Sequence, residues 1–280
     1  MTYSIVARCA ETGRLGAAVQ SCVLGVGALT LWAEPGVGAV ETQAFIDPSY
    51  GPKMLSRLSR GEVIDAALEE LVRADRLSVT RQVAAVDSAG NVTVHTGRRC
   101  VVHAGHSTGD GFSCQANMMR NPGVPEAMAD AFASAEGDLD GRLLVALDAA
   151  EGIGGDIRGR ESAALLVVDA SPDAPMLGRL VDLRVDDHPD PLAELRRLNR
   201  LRRALGPDQD AELASELGHG NPQGWFWKGV RLAGDGDTAG ARAALDRAYA
   251  VDEGWRELLQ RLGPTGALRI DKDVIEELTR

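Results

Sequence analysis

Lysine is nearly missing from this 280-residue chain: Lys53 stands alone ahead of the C-terminal region, whereas arginine is plentiful. A mechanism that needs a buried lysine has almost no candidates. No stretch approaches the roughly 18 consecutive apolar residues of a membrane span, and Met1 to Ser4 lacks the positive, then apolar, start of a secretory signal. The expected compartment is the cytoplasm, with no membrane partner. C-x-x-C spacing is absent too, so Cys9, Cys22, Cys100 and Cys114 are expected to be reduced and mostly buried. An excess of positive charge is likewise wanting. The net charge of −11 and pI near 5.0 disfavour nucleic acid and point to a small molecule or short peptide as partner.

What is present suffices for a packed core, with 44% apolar residues. Tyr3 to Cys9 and Leu15 to Cys22 read as a hairpin turned at Glu11-Thr12-Gly13-Arg14, and Gly25 to Trp32 with Val37 to Ala44 as a second strand pair. Helices are expected over Pro52 to Arg60 and Val63 to Ala74, the second with Ile64, Ala67, Leu68, Leu71 and Val72 on one face. Strand signals return at Arg81 to Val86, Val92 to Thr96, Val101 to Ala104 and Phe112 to Met119. Helices at Pro125 to Ala135 and Gly141 to Glu151 precede the apolar strand Ala163 to Asp169. Two packed sheets covered outside by helices fit this order better than a Rossmann alternation.

After Leu183 to Asp187, His188-Pro189-Asp190-Pro191 marks a linker, and Trp225, Trp227 and Trp255 all lie beyond it. A domain over 1–187 and a helical domain over 191–280 are therefore expected. In the second, Leu192, Leu195, Leu198, Leu201 and Leu205 share a helical face among arginines that read as a solvated surface. Trp225, Gly229, Ala241, Leu245 and Ala248 match one tetratricopeptide-like helix pair without a second copy. Exposed tryptophans there would favour docking or homo-oligomerisation.

Strand alternation groups the polar candidates. Gln115 and Asn117 point to one side of Phe112 to Met119, either as donors to a substrate carbonyl or oxyanion or as a hydrogen-bond network holding two sheets in register. Asp156, Arg158, Arg160 and Ser162 recur at every second residue, as the edge of a carboxylate-binding cleft or as a bridge pinning the glycine-rich loop. Thr42, Gln43 and Asp47 lead into Pro48-Ser49-Tyr50-Gly51-Pro52. A helix entry explains Pro48 and Gly51, leaving Gln43, Asp47 and Tyr50 as substrate contacts. Cys100, His103 and His106 are spaced by threes, which splits them across a strand, so no metal is expected. Gly-His-Ser-Thr-Gly-Asp-Gly from Gly105 lacks the Lys-Ser/Thr of a phosphate loop and reads as a hairpin loop over the site.

Four ordered motifs carry a resemblance: T-Y-S-I-V-A-R from Thr2, A-F-I-D-P-S-Y-G-P from Ala44, Q-A-N-M-M from Gln115 and G-G-D-I-R-G-R-E-S-A-A from Gly154. Over Thr2 to about Asp187 the chain resembles the domain of unknown function 1028 family, with Glu161 where that family tends to have Gln and Asp47 where Asn is common. The tail from Pro191 resembles a helical domain often attached to it and described as peptidoglycan-binding. The resemblance implies an α+β, Ntn-hydrolase-like αββα four-layer sandwich followed by a small all-α domain.

It also implies a chemistry. Thr2 follows Met1 and is of the small type before which initiator methionine is normally removed. Removal would set an α-amino group of pKa about 7.7 to 8.0 beside the Thr2 hydroxyl, so that one residue supplies nucleophile and base. Ser4, on the same strand face, would support or replace it, with Asn117 assisting. No cofactor is needed. The leading expectation is hydrolysis of a C–N amide bond in a small molecule or short peptide. The alternatives are a non-catalytic ligand-binding protein on the same scaffold and a wall-binding accessory protein acting through its tail.

Overall fold

A computed structural model describes residues 2–174, 178–205 and 221–280. The chain divides into two compact units, Met1–Arg196 and Arg197–Arg280.

In the first unit, β1 (Thr2–Arg8) and β2 (Leu15–Ser21) form the expected hairpin, pairing from Thr2 opposite Ser21 to Arg8 opposite Leu15. Both sit inside a six-stranded antiparallel sheet with β7 (Gly105–Gly109), β8 (Phe112–Asn117), β9 (Ser162–Val168) and β10 (Arg179–Val185), in the order β10-β9-β2-β1-β8-β7. The second sheet is four-stranded and antiparallel, running β3 (Leu31–Glu34), β4 (Gly38–Ala44), β5 (Arg81–Asp87), β6 (Val92–Thr96).

Period-two alternation decides what lies between the sheets. Val6, Leu15, Ala17, Val19, Ala39, Ala84, Val86, Ala164 and Leu166 pack there as one apolar core. The opposite faces are covered by helices: α2 (Tyr50–Leu58) and α3 (Ile64–Ala74) bury Met54, Leu55, Ala67 and Leu68 against Val40, Val83 and Ala85. On the larger sheet lie α4 (Val124–Ser134) and α5 (Leu139–Gly152), which bring Met128, Phe132, Leu143 and Leu147 into the interior. The layers run α, β, β, α, as the resemblance implied. Gly51 lies inside α2, where a Cβ would stand 2.0 Å from Trp32 of β3. It is a close approach of helix to strand, not only a helix entry.

Three local expectations are corrected. Gly25 to Trp32 is not one strand, because Gly25 takes φ +63° and the short helix α1 (Gly27–Thr30) follows, its Thr30 hydroxyl donating to the Val26 carbonyl at 3.0 Å. Val101 to Ala104 is not a strand either, since His103 turns left-handed at φ +56°, and pairing begins at Gly105 instead. The glycine-rich segment from Gly105 is thus largely strand β7. Its turn at Gly111 meets Arg8, at the opposite end of β1 from Thr2, so it does not cover the site.

His188 to Pro191 leads into α6 (Pro191–Ala204), whose Leu192 and Leu195 are buried and whose Arg196 pairs with Asp148 of α5. Leu205 closes the described part of that segment. The second unit holds α7 (Pro222–Gly234), α8 (Thr238–Val251), α9 (Gly254–Leu262) and α10 (Lys272–Leu278). Trp225, Phe226, Ala241, Leu245, Ala248, Leu259 and Ile275 form its core. α7 and α8 approach at Gly229, where a Cβ would stand 2.6 Å from Leu245. Among the described residues, no helix is long and apolar enough to cross a membrane.

Candidate functional site

The inter-sheet layer is not apolar throughout. Toward the Thr2 end of β1 the inward positions become Thr2 and Ser4, with Ser21 opposite Thr2 on β2 and with Asn117 and Gln115 opposite Thr2 and Ser4 on β8. Glu41 and Gln43 of β4 and Gln82 of β5 approach from the other sheet, and all eight side chains are wholly buried. A buried polar cluster of this size is tolerable only when hydrogen-bonded.

Most of it is. Thr2 Oγ1 donates to Ser21 Oγ at 3.0 Å, and Ser4 Oγ donates to Gln43 Oε1 at 2.8 Å. Gln115 Nε2 donates to Ser4 Oγ at 2.7 Å, while Gln115 Oε1 accepts from Ser113 at 3.0 Å. The Thr2 carbonyl accepts from Gln43 Nε2 at 3.2 Å and from Asn117 Nδ2 at 3.4 Å. Both amides also donate to Gln82 Oε1, at 2.6 and 3.1 Å, and Gln82 Nε2 in turn reaches Thr96 Oγ1 and the carbonyls of Gly105 and Ala116. Gln82 is the hub that ties the two sheets together here. The exceptions are acceptors: Asn117 Oδ1 and both oxygens of Glu41 have no hydrogen-bond partner.

An arginine stands at the edge of this cluster. Arg158 Nη2 donates to Ser21 Oγ at 3.5 Å, and its guanidinium grips Asp156 through Nε at 3.1 Å and Nη2 at 2.7 Å. The Asp156 side chain is fully buried and that of Arg158 is 31% exposed. Their loop is stitched to the end of β8, with Ile157 N donating to the Met118 carbonyl at 3.2 Å and Met119 bridging Asp156. Asp156, Arg158 and Arg160 belong to this turn, and only Ser162 of that alternating series lies on a strand. Among the described residues, Ala44, His103 and Met118 are the non-glycine positions with positive φ. Two of them directly follow Gln43 and Asn117, so left-handed strain sits where the site's strands end.

Thr2, Ser4, Gln43, Gln115 and Asn117 thus come together, and Asp156 and Arg158 join them through Ser21. Three other candidates lie elsewhere. Arg160 pairs with Glu151 at 3.6 Å and Asp190 at 3.3 Å. Glu151 also accepts from Tyr3 Oη at 2.6 Å, on the helix-covered face of the sheet, and burial together with the Glu151 carboxylate pushes the Tyr3 phenol well up. Asp47 accepts from Ser49 N, and Tyr50 Oη donates to Asp75 at 3.2 Å, both lining a separate cavity of about 230 Å³ with Lys53 and Arg76. Cys100 Sγ donates to the Arg81 carbonyl, and His106 Nδ1 pairs with Thr96 Oγ1 at 2.9 Å.

Ser21, Glu41 and Gln82 were not singled out from the sequence. Their signal was a polar residue at an inward position of an otherwise apolar strand, readable only once the facing strands were known.

A model of the family of unknown function DUF1028 matches residues 2–195. The crystal structure of protein SPO2555 from Silicibacter pomeroyi, itself labelled with that family, is 32% identical, with a TM-score of 0.67 over 76% of this chain and 90% of that one. A second solved structure, Anbu (ancestral beta-subunit) from Yersinia bercovieri, is 12% identical with a TM-score of 0.36, over 76% of this chain and 97% of that one. No curated protein matches the chain.

Proposed function

The chain belongs to the family DUF1028, whose reaction is unassigned, and on that footing we propose that it is an Ntn-type hydrolase of a C–N amide bond in a small molecule or short peptide. The observation that carries the reading is the placement of Thr2. It sits at the start of a central strand, between two sheets, with its hydroxyl on Ser21 and its carbonyl held by two amides.

The reading requires Thr2 to become the first residue, by loss of Met1. Its α-amino group then takes the hydroxyl proton as Oγ1 attacks the amide carbonyl. An ester to Thr2 forms, the C–N bond breaks, and the leaving amine departs with that proton. Water then cleaves the ester and restores the hydroxyl. Asn117 has both amide hydrogens engaged in the resting arrangement, so oxyanion donation by it requires release of the Thr2 carbonyl or of Gln82. Arg158 supplies, through Ser21, the cationic neighbour that lysine scarcity seemed to deny; its fork is engaged by Asp156 in the resting arrangement, so capture of a substrate carboxylate by it requires release of that pair.

The complete burial of the cluster favours a second reading, a non-catalytic ligand-binding protein whose polar network holds the sheets in register. An amide-substrate screen separates the two. Turnover that Thr2→Ala abolishes and Thr2→Ser partly keeps supports the hydrolase. Turnover that survives Thr2→Ala sinks Thr2 as the nucleophile, and a screen without turnover favours the binding protein.

A further inference from the structure

Among the described residues, Glu41 is the ionisable side chain that the inter-sheet cluster encloses completely. Its register partners within the second sheet are Leu31 and Ala84, which bring no polar side chain. Ser4 of β1 and Gln115 of β8 face it across the gap, and the charge acting on it is that of the amino terminus. Yet neither carboxyl oxygen has completed a hydrogen bond. A bare carboxylate in this position would carry a heavy desolvation cost, which un-ionised acid avoids. Burial accordingly pushes the Glu41 carboxyl well above the ordinary carboxylate range, outweighing the smaller downward pulls of Ser4, the amino terminus and Gln115.

Counting protons around Ser4 says what the acid can do. A serine hydroxyl has one hydrogen and two lone pairs. The hydrogen goes to Gln43 Oε1 and one lone pair takes an N–H of Gln115, leaving one lone pair open. A carboxylic acid O–H fits that opening, whereas a carboxylate offers no hydrogen and competes for the one Ser4 has. Gln43 holds its Nε2 on the Thr2 carbonyl only while its Oε1 faces the Ser4 hydroxyl.

We propose that Glu41 is a positioning residue of this site, acting as the neutral acid: its O–H closes onto Ser4, which keeps the Ser4 hydrogen on Gln43 and the Gln43 amide on the Thr2 carbonyl. Loss of the Glu41 proton draws the Ser4 hydrogen to the carboxylate and frees the Gln43 amide to turn. The catalytic consequence rests on the reading of Thr2 as nucleophile; the protonation and the coupling to Gln43 do not.

Both are tested on the intact chain without a substrate. Infrared difference spectra of wild type against Glu41→Gln at neutral pH are expected to show a carboxylic-acid carbonyl stretch in the wild type that the variant lacks. Side-chain amide resonances of Gln43 are expected to move, in the wild type, over the pH range in which that band disappears, and to stay fixed in Glu41→Gln. Absence of the band in the wild type, its survival in the variant, or Gln43 resonances indifferent to its loss each overturns the proposal. Should Glu41→Gln fail to fold, the paired titration of band and resonances in the wild type decides alone. A failed amide screen removes the hydrolase reading and leaves these signals where they are.

Discussion

The hydroxyl of Thr2 donates to the hydroxyl of Ser21 at 3.0 Å, and Arg158 donates to that same Ser21 oxygen at 3.5 Å, so a cation reaches the first strand's leading residue through one serine. The link crosses the β1–β2 pair where Thr2 and Ser21 stand opposite.

Ser21→Ala deletes the link and leaves the wholly buried Thr2 hydroxyl without its acceptor. An unsatisfied buried group of this kind costs about 1–3 kcal/mol, so chemical denaturation should show a loss of about 2 kcal/mol. Under the hydrolase reading, turnover falls more steeply than stability. A variant with unchanged turnover would show that Ser21 does not serve Thr2.

Gln82→Leu removes the hub. It leaves donors on Gln43 and Asn117 and the carbonyls of Gly105 and Ala116 short of a partner between the sheets. Each unsatisfied buried group costs about 1–3 kcal/mol, so a loss of about 3 kcal/mol or more is expected by denaturant titration. A change below about 1 kcal/mol would mean that water replaces the hub.

Asp156 is fully buried while Arg158 is partly exposed. Arg158→Ala takes the guanidinium from Asp156 and leaves its carboxylate the backbone N–H of residue 158, at a cost of about 2 kcal/mol after allowing for solvent at the arginine. Asp156→Asn with Arg158→Ala should recover part of that in a double-mutant cycle. Strict additivity would show that the pair does not couple.

Glu41 makes stability depend on pH with a definite sign. Its folded-state carboxyl lies above its unfolded value because burial disfavours the charge. The contribution is therefore full below the unfolded carboxylate range, near pH 4.3, and is lost as pH rises from there toward the folded value. Glu41→Gln should gain stability relative to wild type as pH rises through that window. Parallel curves for the two proteins would refute the assignment.

In the second unit, Gly229→Ala places a Cβ 2.6 Å from Leu245 Cγ and 3.0 Å from the Ala241 carbonyl. Overpacking of this kind costs about 1–3 kcal/mol, against the gain in helix propensity. Its helical unfolding transition should move down in temperature, and Gly229→Ala with Leu245→Ala should relieve the clash.

Much of this was legible in the residues. Alternation placed Gln115 and Asn117 together because the period of a strand is a local property, and the order of elements along the chain pointed to two packed sheets with helices outside; the four-layer sandwich itself came from the family resemblance that the four ordered motifs carry. Alternation failed for Asp156, Arg158 and Arg160, which form a turn around Gly159, where Asp156 captures Arg158 and period two has no meaning. It failed at Val101 to Ala104 because the left-handed His103 leaves no trace in composition. Ser21, Glu41 and Gln82 stayed hidden for a different reason. Their importance comes from facing strands brought close by sheet packing, a relation of high sequence separation that no local pattern carries.

The most direct test of the central reading is the N-terminal mass of the enzymatically active protein, measured on the fraction that turns over an amide. Thr2 as residue one in that fraction is the expected result. Met1 retained on protein that hydrolyses the amide at full rate would contradict the nucleophile assignment outright.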